Sequence, residues 1–183
     1  MADAHQPSRS PFAEYLPLPP ARPAAVRATI AEATADRVEE LAALQAGVRG
    51  GAPGQWGERI GRAMAHPRGT VAMALVDGAA VGYGSAAFLP AHAGDGSPAG
   101  YYLTGVTVAV PWRRHGLAGR LTRWRMDWAW ERDPAVWCFI SDENRASLDL
   151  HHALGFDLVR SGASFQGVGF ASGQGSLLCA RRP

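Results

Sequence analysis

The sequence has few of the residues that mark specialised proteins. Its two cysteines, Cys138 and Cys179, lie far apart without the paired spacing of a metal site, which argues against a multi-bridge disulfide scaffold and a cysteine zinc centre. Both sit in apolar runs and read as small buried hydrophobes in a reducing compartment, with a bridge between them left open. No run of eighteen apolar residues occurs and the N-terminus has no hydrophobic leader core, so neither a membrane span nor a secretory signal is expected and the expected compartment is the cytoplasm. Net charge is only +2, which speaks against nucleic acid as a partner of the molecule as a whole. Internal repeats are absent, as are the Walker A loop and the three-glycine dinucleotide fingerprint. What remains is 47% hydrophobic and 19% charged over 183 residues. That is an ordinary globular composition, long enough for one domain to bury roughly two-thirds of its unfolded surface.

Residues 1–24 are rich in proline (Pro7, Pro11, Pro17, Pro19, Pro20, Pro23) and poor in aliphatics. Such a stretch buries too little surface to offset its ordering entropy, so it reads as a disordered tail with Phe12, Tyr15 and Leu16 as its packing residues. Residues 25–183 form the single expected domain.

Within it, a strand is expected over Val26–Ala31 and a helix over Ala35–Ala46, capped by Thr34 or Asp36 and burying Val38, Leu41 and Leu44. Residues 47–55, GVRGGAPGQ, read as a loop, and a weaker helix spans Trp56–Ala65, ending before Pro67. Asp77-Gly78 between the apolar runs Val71–Val76 and Val81–Phe88 predicts a type I′ hairpin. Gly82 and Gly84 in its second strand weaken that strand or mark a close backbone approach. A flexible loop over 90–100 leads to a strand over Tyr101–Val110. Leu117, Leu121, Trp124 and Trp128 then fall on one helical face, with both tryptophans expected in the core. The run Ala135–Ser141 reads as a buried strand, giving a parallel β-α-β unit. A helix follows over Arg145–Leu154, capped by Asn144 and ended by Gly155, and strands over Phe156–Phe165 and Gly175–Arg181 close a mixed sheet.

Chemistry concentrates where the central strand gives way to its helix. Arg113, Arg114, His115, Gly116, Leu117, Ala118 and Gly119 place small residues and positive charge at a helix N-terminus, an arrangement that suits a phosphate or pyrophosphate. The stretch resembles the pyrophosphate loop of the GCN5-related N-acetyltransferase (GNAT) superfamily, Gln/Arg-x-x-Gly-x-Gly/Ala, through Arg113, Gly116 and Ala118. The segment Asn144–Phe156, NRASLDLHHALGF, resembles the family's later motif, and its Leu-His variant is similar to that of phosphinothricin-type acetyltransferases. The resemblance runs from about Val26 to the C-terminus.

This resemblance implies an α/β fold, a mostly antiparallel mixed sheet of about seven strands flanked by about four helices. It implies acetyl-CoA as acyl donor, no metal, and a primary amine of a small molecule, amino acid or peptide as acceptor. The donor's pyrophosphate would meet the amides of Arg114 to Gly119, and its pantetheine arm would pair with Val106, Thr107 and Val108 where the neighbouring strand splays away. Asn144 would face the same site. Where many relatives carry a thiolate-protonating tyrosine this chain has His151, a candidate catalytic residue whose ordinary pKa near 6.5 leaves it partly protonated. His152 reads as a surface residue. The central strand holds no carboxylate, leaving Asp142, Glu143 or a water as base.

No Cys or Ser stands in a nucleophile setting, so the amine is expected to attack the thioester directly. Acidic stretches suited to polyamines are missing. Arg113, Arg114, Arg120, Arg123, Arg125 and Arg132 read as a phosphate grip plus the solvated face of one helix, and a homodimer is left open. A catalytically weak acyl-CoA-binding sensor or partner domain is the alternative.

Overall fold

The computed structural model describes residues 26–183, so the proline-rich tail, including Phe12, Tyr15 and Leu16, lies outside the described residues. Within the described residues, nine strands and four α-helices follow in the order β1 (Thr29–Glu32), α1 (Val38–Arg49), α2 (Pro53–Met64), β2 (Gly69–Val76), β3 (Ala79–Leu89), β4 (Gly100–Val108), α3 (Leu117–Trp130), β5 (Ala135–Ser141), α4 (Arg145–Ala153), β6 (Asp157–Gly162), β7 (Ser164–Phe165), β8 (Val168–Gly169) and β9 (Gly175–Arg181). Seven strands form one sheet in the order β1-β2-β3-β4-β5-β9-β6, antiparallel except for β4 and β5. This is the mixed, mostly antiparallel α/β architecture expected.

Helices cover both faces. On one, Leu41, Ala42 and Ile60 of α1 and α2 pack with Val71 and Met73 of β2. On the other, Leu117 and Leu121 of α3 meet Ala72, Ala74 and Val81, and Met126 and Ala129 meet Tyr101, Leu103, Val136 and Ile140. Trp124 and Trp128 are half-buried at the margins of these clusters, Trp128 edge-on to Tyr101 with 5.5 Å between ring centroids.

Several boundaries differ from the sequence reading. The expected loop over 47–55 shrinks to residues 50–52. Gln45 is buried and Val48 half-buried, so the apolar face carries the helix to Arg49; Gly50 and Gly51 (φ 76° and 84°) then make the turn, and Pro53 starts α2. The first strand begins at Thr29 rather than Val26, and the central strand stops at Val108 because Val110–Trp112 forms a 3-10 turn. The strand expected over Phe156–Phe165 is two: β6 ends at Gly162, and Gln166 (φ 51°) and Gly167 (φ 72°) turn a separate β7–β8 hairpin. The hairpin at Asp77-Gly78 forms as expected, both residues at positive φ. The loop over 90–99 is tied down by Asp95, which accepts from Ser97 N and Oγ and from Gly167 N, at 3.1, 2.6 and 2.8 Å. Cys138 and Cys179 are both buried and free. Cys138 faces the α3 cluster, whereas Cys179 opposes Trp137 on the other face, so no bridge can form between them.

Candidate functional site

Strands β4 and β5 run side by side for only two residue pairs, Tyr101↔Val136 and Tyr102↔Trp137, and then part. Beyond that point β5 stays paired with β9 as far as Ser141, while β4 stays paired with β3 as far as Val108. The result is a wedge opening toward the C-terminal ends of both strands. Ala109 N donates to Val81 O at 2.9 Å, and an antiparallel ladder alternates inward and outward backbone groups. Thr107 therefore turns its N–H and C=O to β3, and Val106 and Val108 turn theirs into the wedge, where no strand receives them. Arg113 Nε reaches back to the Val108 carbonyl, 3.3 Å away, as that orientation requires.

At the wide end of the wedge lies the basic turn. Arg114 (φ 70°) and Gly116 (φ 77°) take left-handed conformations, and α3 starts at Leu117 with Gly116 as its N-cap and no side-chain cap. The first amides of a fourteen-residue helix, those of Leu117, Ala118 and Gly119, are thus left for a ligand. Arg113 and His115 are half-buried and Arg114 is exposed. A groove of about 450 Å³ touches Gly116 and Gly119 and continues past Arg120, Arg123, Trp124 and Asp127.

Helix α4 comes in from the same face of the sheet as α3. Asn144 caps it, its side chain accepting from Ser147 N at 3.2 Å. His151 is 5% exposed, edge-on to Phe156, and its Nδ1–H donates to the Ser147 carbonyl at 2.8 Å. Burial pushes its pKa down to about 4, the Ser147 bond opposing only in part, so the imidazole is neutral at physiological pH and Nε2 is left as an acceptor. His152, exposed, bonds the Phe156 carbonyl. Asp142 at the tip of β5 accepts from Ser176 Oγ at 2.8 Å, and Glu143 is exposed.

One residue overturns its sequence reading. Arg125, assigned to the solvated face of α3, is 1% exposed. Its Nε donates to Leu121 O (3.1 Å), one Nη to Ser85 O (2.9 Å) and Gly105 O (2.7 Å), and the other Nη to Thr122 Oγ1 (3.1 Å). The helical count does contain this answer: the buried line runs Leu121, Thr122, Arg125, Met126, Ala129, and position 125 lies at its centre.

Gly105 is the other feature missed. The β3–β4 register slips between Gly84 and Ser85 because Gly105 (φ 78°) forms a bulge, and an interior strand glycine is the usual sign of one. On the sheet face turned toward α1, Tyr83 OH bonds the buried Gln45 (3.0 Å), and Ser85 Oγ lies 3.0 Å from both O and Oγ1 of the exposed Thr104. Burial raises the Tyr83 hydroxyl to about 12, with Arg59 and Arg49 pulling the other way.

Residues 36–156 match the model of the acetyltransferase (GNAT) family. The fold is that of solved structures at low identity. An acetyltransferase of the GNAT family from Streptococcus pneumoniae superposes with a TM-score of 0.64 at 13% identity, over 86% of this chain and 100% of that one. The ribosomal-protein-S18-alanine N-acetyltransferase from Escherichia coli does so at 0.63 and 12%, over 84% and 93%. A streptothricin acetyltransferase-like protein from Bacillus anthracis, in complex with acetyl coenzyme A, gives 0.54 and 17%, over 67% of each chain. No curated protein sequence matches significantly.

Proposed function

Since this chain belongs to the GNAT acetyltransferase family, we propose that it moves an acetyl group from acetyl-CoA to a primary amine of a small molecule, amino acid or peptide, by direct attack and without an acyl-enzyme. The observation that carries this reading is the wedge: outward backbone groups at Val106 and Val108 with no neighbouring strand, opening onto an uncapped helix N-terminus.

These residues offer a group for each part of the donor. The amides at 117–119, with guanidinium charge from Arg113 and Arg114, would hold its pyrophosphate. The unpaired β4 edge at Val106 and Val108 would hold the amide-bearing arm as an extra strand does, whereas Thr107, whose backbone is spent on β3, would not pair with it. Bound acetyl-CoA supplies the thioester: the amine bonds to the acetyl carbon, the C–S bond breaks, and the sulfur gains the proton that the amine loses.

Val106 N–H would receive the charge that builds on the acyl oxygen. His151 serves as a neutral acceptor and orienter, because an imidazole whose pKa lies near 4 carries no proton to give at neutral pH. The polar patch of Tyr83, Ser85 and Thr104, on the sheet face away from α3, is the side from which the amine arrives. It contains no carboxylate, which favours acceptors that are not polycations.

The test is thiol release from acetyl-CoA across a panel of amines, run beside calorimetric titration with coenzyme A. Turnover with at least one amine supports the reading. Tight coenzyme A binding with no turnover supports a sensor domain instead, and absence of binding removes both.

A further inference from the structure

We propose that Arg125 is a positioning residue: by gripping the Gly105 carbonyl from the helix side, it sets the peptide between Gly105 and Val106 so that Val106 N–H points into the β4–β5 wedge. The proposal rests on the reading of that wedge as the acyl-donor site.

The geometry runs through one peptide unit. There are no cis peptide bonds among the described residues, so the Gly105 C=O and Val106 N–H point in opposite directions. Arg125 Nη1 lies 2.7 Å from the Gly105 oxygen and 2.9 Å from the Ser85 oxygen, which puts the guanidinium on the β3 side of the bulge. Drawing the carbonyl toward β3 turns the amide toward β5, where the ladder has already parted. A bulge without this anchor would be free to flip, because Gly105 has no Cβ and nothing lies within 4 Å of where one would be.

The arrangement is costly, and the cost argues for a role. Arg125 is buried with neutral acceptors only, and none of the ion pairs among the described residues includes it. A buried cation without a counter-charge is strongly disfavoured relative to an apolar side chain of like size. Desolvation lowers its pKa to about 10, which still leaves it charged at neutral pH.

The strands also make room for it. A Cβ on Gly84 would come within 2.8 Å of the guanidinium carbon and 2.8 Å of Gly105 O. Gly84, Gly105 and Arg125 therefore form one device: a glycine that admits the arginine, an arginine that grips the bulge, and a bulge that aims an amide.

The experiment uses the full chain as wild type, Arg125→Lys, Arg125→Met and Gly84→Ala, the last pressing on both the guanidinium and the Gly105 carbonyl. Three measurements are made: the Val106 amide resonance in ¹⁵N-labelled protein, coenzyme A affinity by calorimetry, and steady-state kinetics with acetyl-CoA and the best amine of the panel. Expected is a shifted or broadened Val106 resonance in every variant and a fall in kcat of roughly 10- to 100-fold in Arg125→Met and Gly84→Ala, smaller in Arg125→Lys. KM for acetyl-CoA should stay within about threefold, because the lost contact belongs to the reacting state. An unmoved Val106 resonance in variants with native circular dichroism overturns the proposal, as does a rise in KM at constant kcat. If Arg125→Met does not fold, Arg125→Lys decides. Failure of wild type to bind coenzyme A would remove the donor-site reading, and the Val106 resonance would still decide the geometric claim.

Discussion

His151 gives its Nδ1 proton to the carbonyl of Ser147, one turn earlier on the same helix, at 2.8 Å. The bond fixes the tautomer, and burial holds the ring neutral down to about pH 4. An unfolded chain would titrate the same ring near 6.5. Between those values the unfolded state binds the proton and the native state does not, so native stability falls as pH drops through that window and is fully present above it. The contribution is on the order of 2–3 kcal/mol. Urea unfolding at pH 7.5, 5.5 and 4.5 should show this loss in wild type and much less of it in His151→Gln. Equal pH slopes in the two proteins would exclude a buried neutral ring.

Activity should respond to pH in the corresponding way. If the ring acts as a neutral acceptor, kcat should show no falling limb from His151 between pH 6 and 9. His151→Gln, which keeps an acceptor, should retain more kcat than His151→Phe. A limb near pH 6.5 that disappears in both variants would mean that the imidazolium is the working form.

Gly116→Val should separate folding from binding. Gly116 sits at φ 77°, and a Cβ added there would meet nothing within 4 Å, so the obstacle is conformational rather than steric. A β-branched residue there costs about 1–2 kcal/mol and turns the N-cap amides away from a common point. Coenzyme A affinity should drop at least about tenfold, as each 1.4 kcal/mol is a factor of ten. The melting temperature should fall by only a few degrees.

Asn144→Ala removes the side-chain acceptor for Ser147 N, 3.2 Å away at the start of α4, and leaves it only the Asn144 backbone carbonyl at 3.0 Å. A lost N-cap costs about 1 kcal/mol, visible as a lower urea midpoint with an unchanged slope. Because the same helix carries His151, kcat should fall with it. A stability loss without any kinetic effect would show that α4 positions nothing in the site.

Asp95→Ala tests the far end of β4. Its carboxylate receives Ser97 N, Ser97 Oγ and Gly167 N, tying the loop before β4 to the β7–β8 hairpin. The melting temperature should drop while coenzyme A affinity stays unchanged, since the wedge opens at the other end of the strand. Weakened coenzyme A binding would mean that the two ends are coupled.

Long apolar periods and turn chemistry made most of this fold legible. Asp77-Gly78 marked its hairpin, Asn144 and Gly155 bracketed α4, and the strand–basic turn–helix order located Arg113–Gly119. Legibility failed where local and tertiary preferences disagree. Residues 47–49 look like loop because of their glycine, yet Val48 packs and the helix runs on. Arg125 looks solvated because arginine usually is, and only the helical count places it at the centre of the buried face. Gly105 is masked by the aromatic and β-branched residues around it in the strand, although its lack of a side chain is what permits the bulge. The parting of β4 from β5 leaves no mark on either strand's own residues, because pairing is a property of two segments and each looks well made alone.

That parting also bears on how firmly the protein holds together. A sheet whose central seam closes for only two residue pairs is, near Val106 and Val108, two half-sheets joined by their helices rather than by their backbones. Whatever occupies the seam supplies missing mortar, so a donor that binds there is also a brace. Amide exchange at Val106 and Val108 should slow together when coenzyme A is added, and the melting temperature should climb with its concentration.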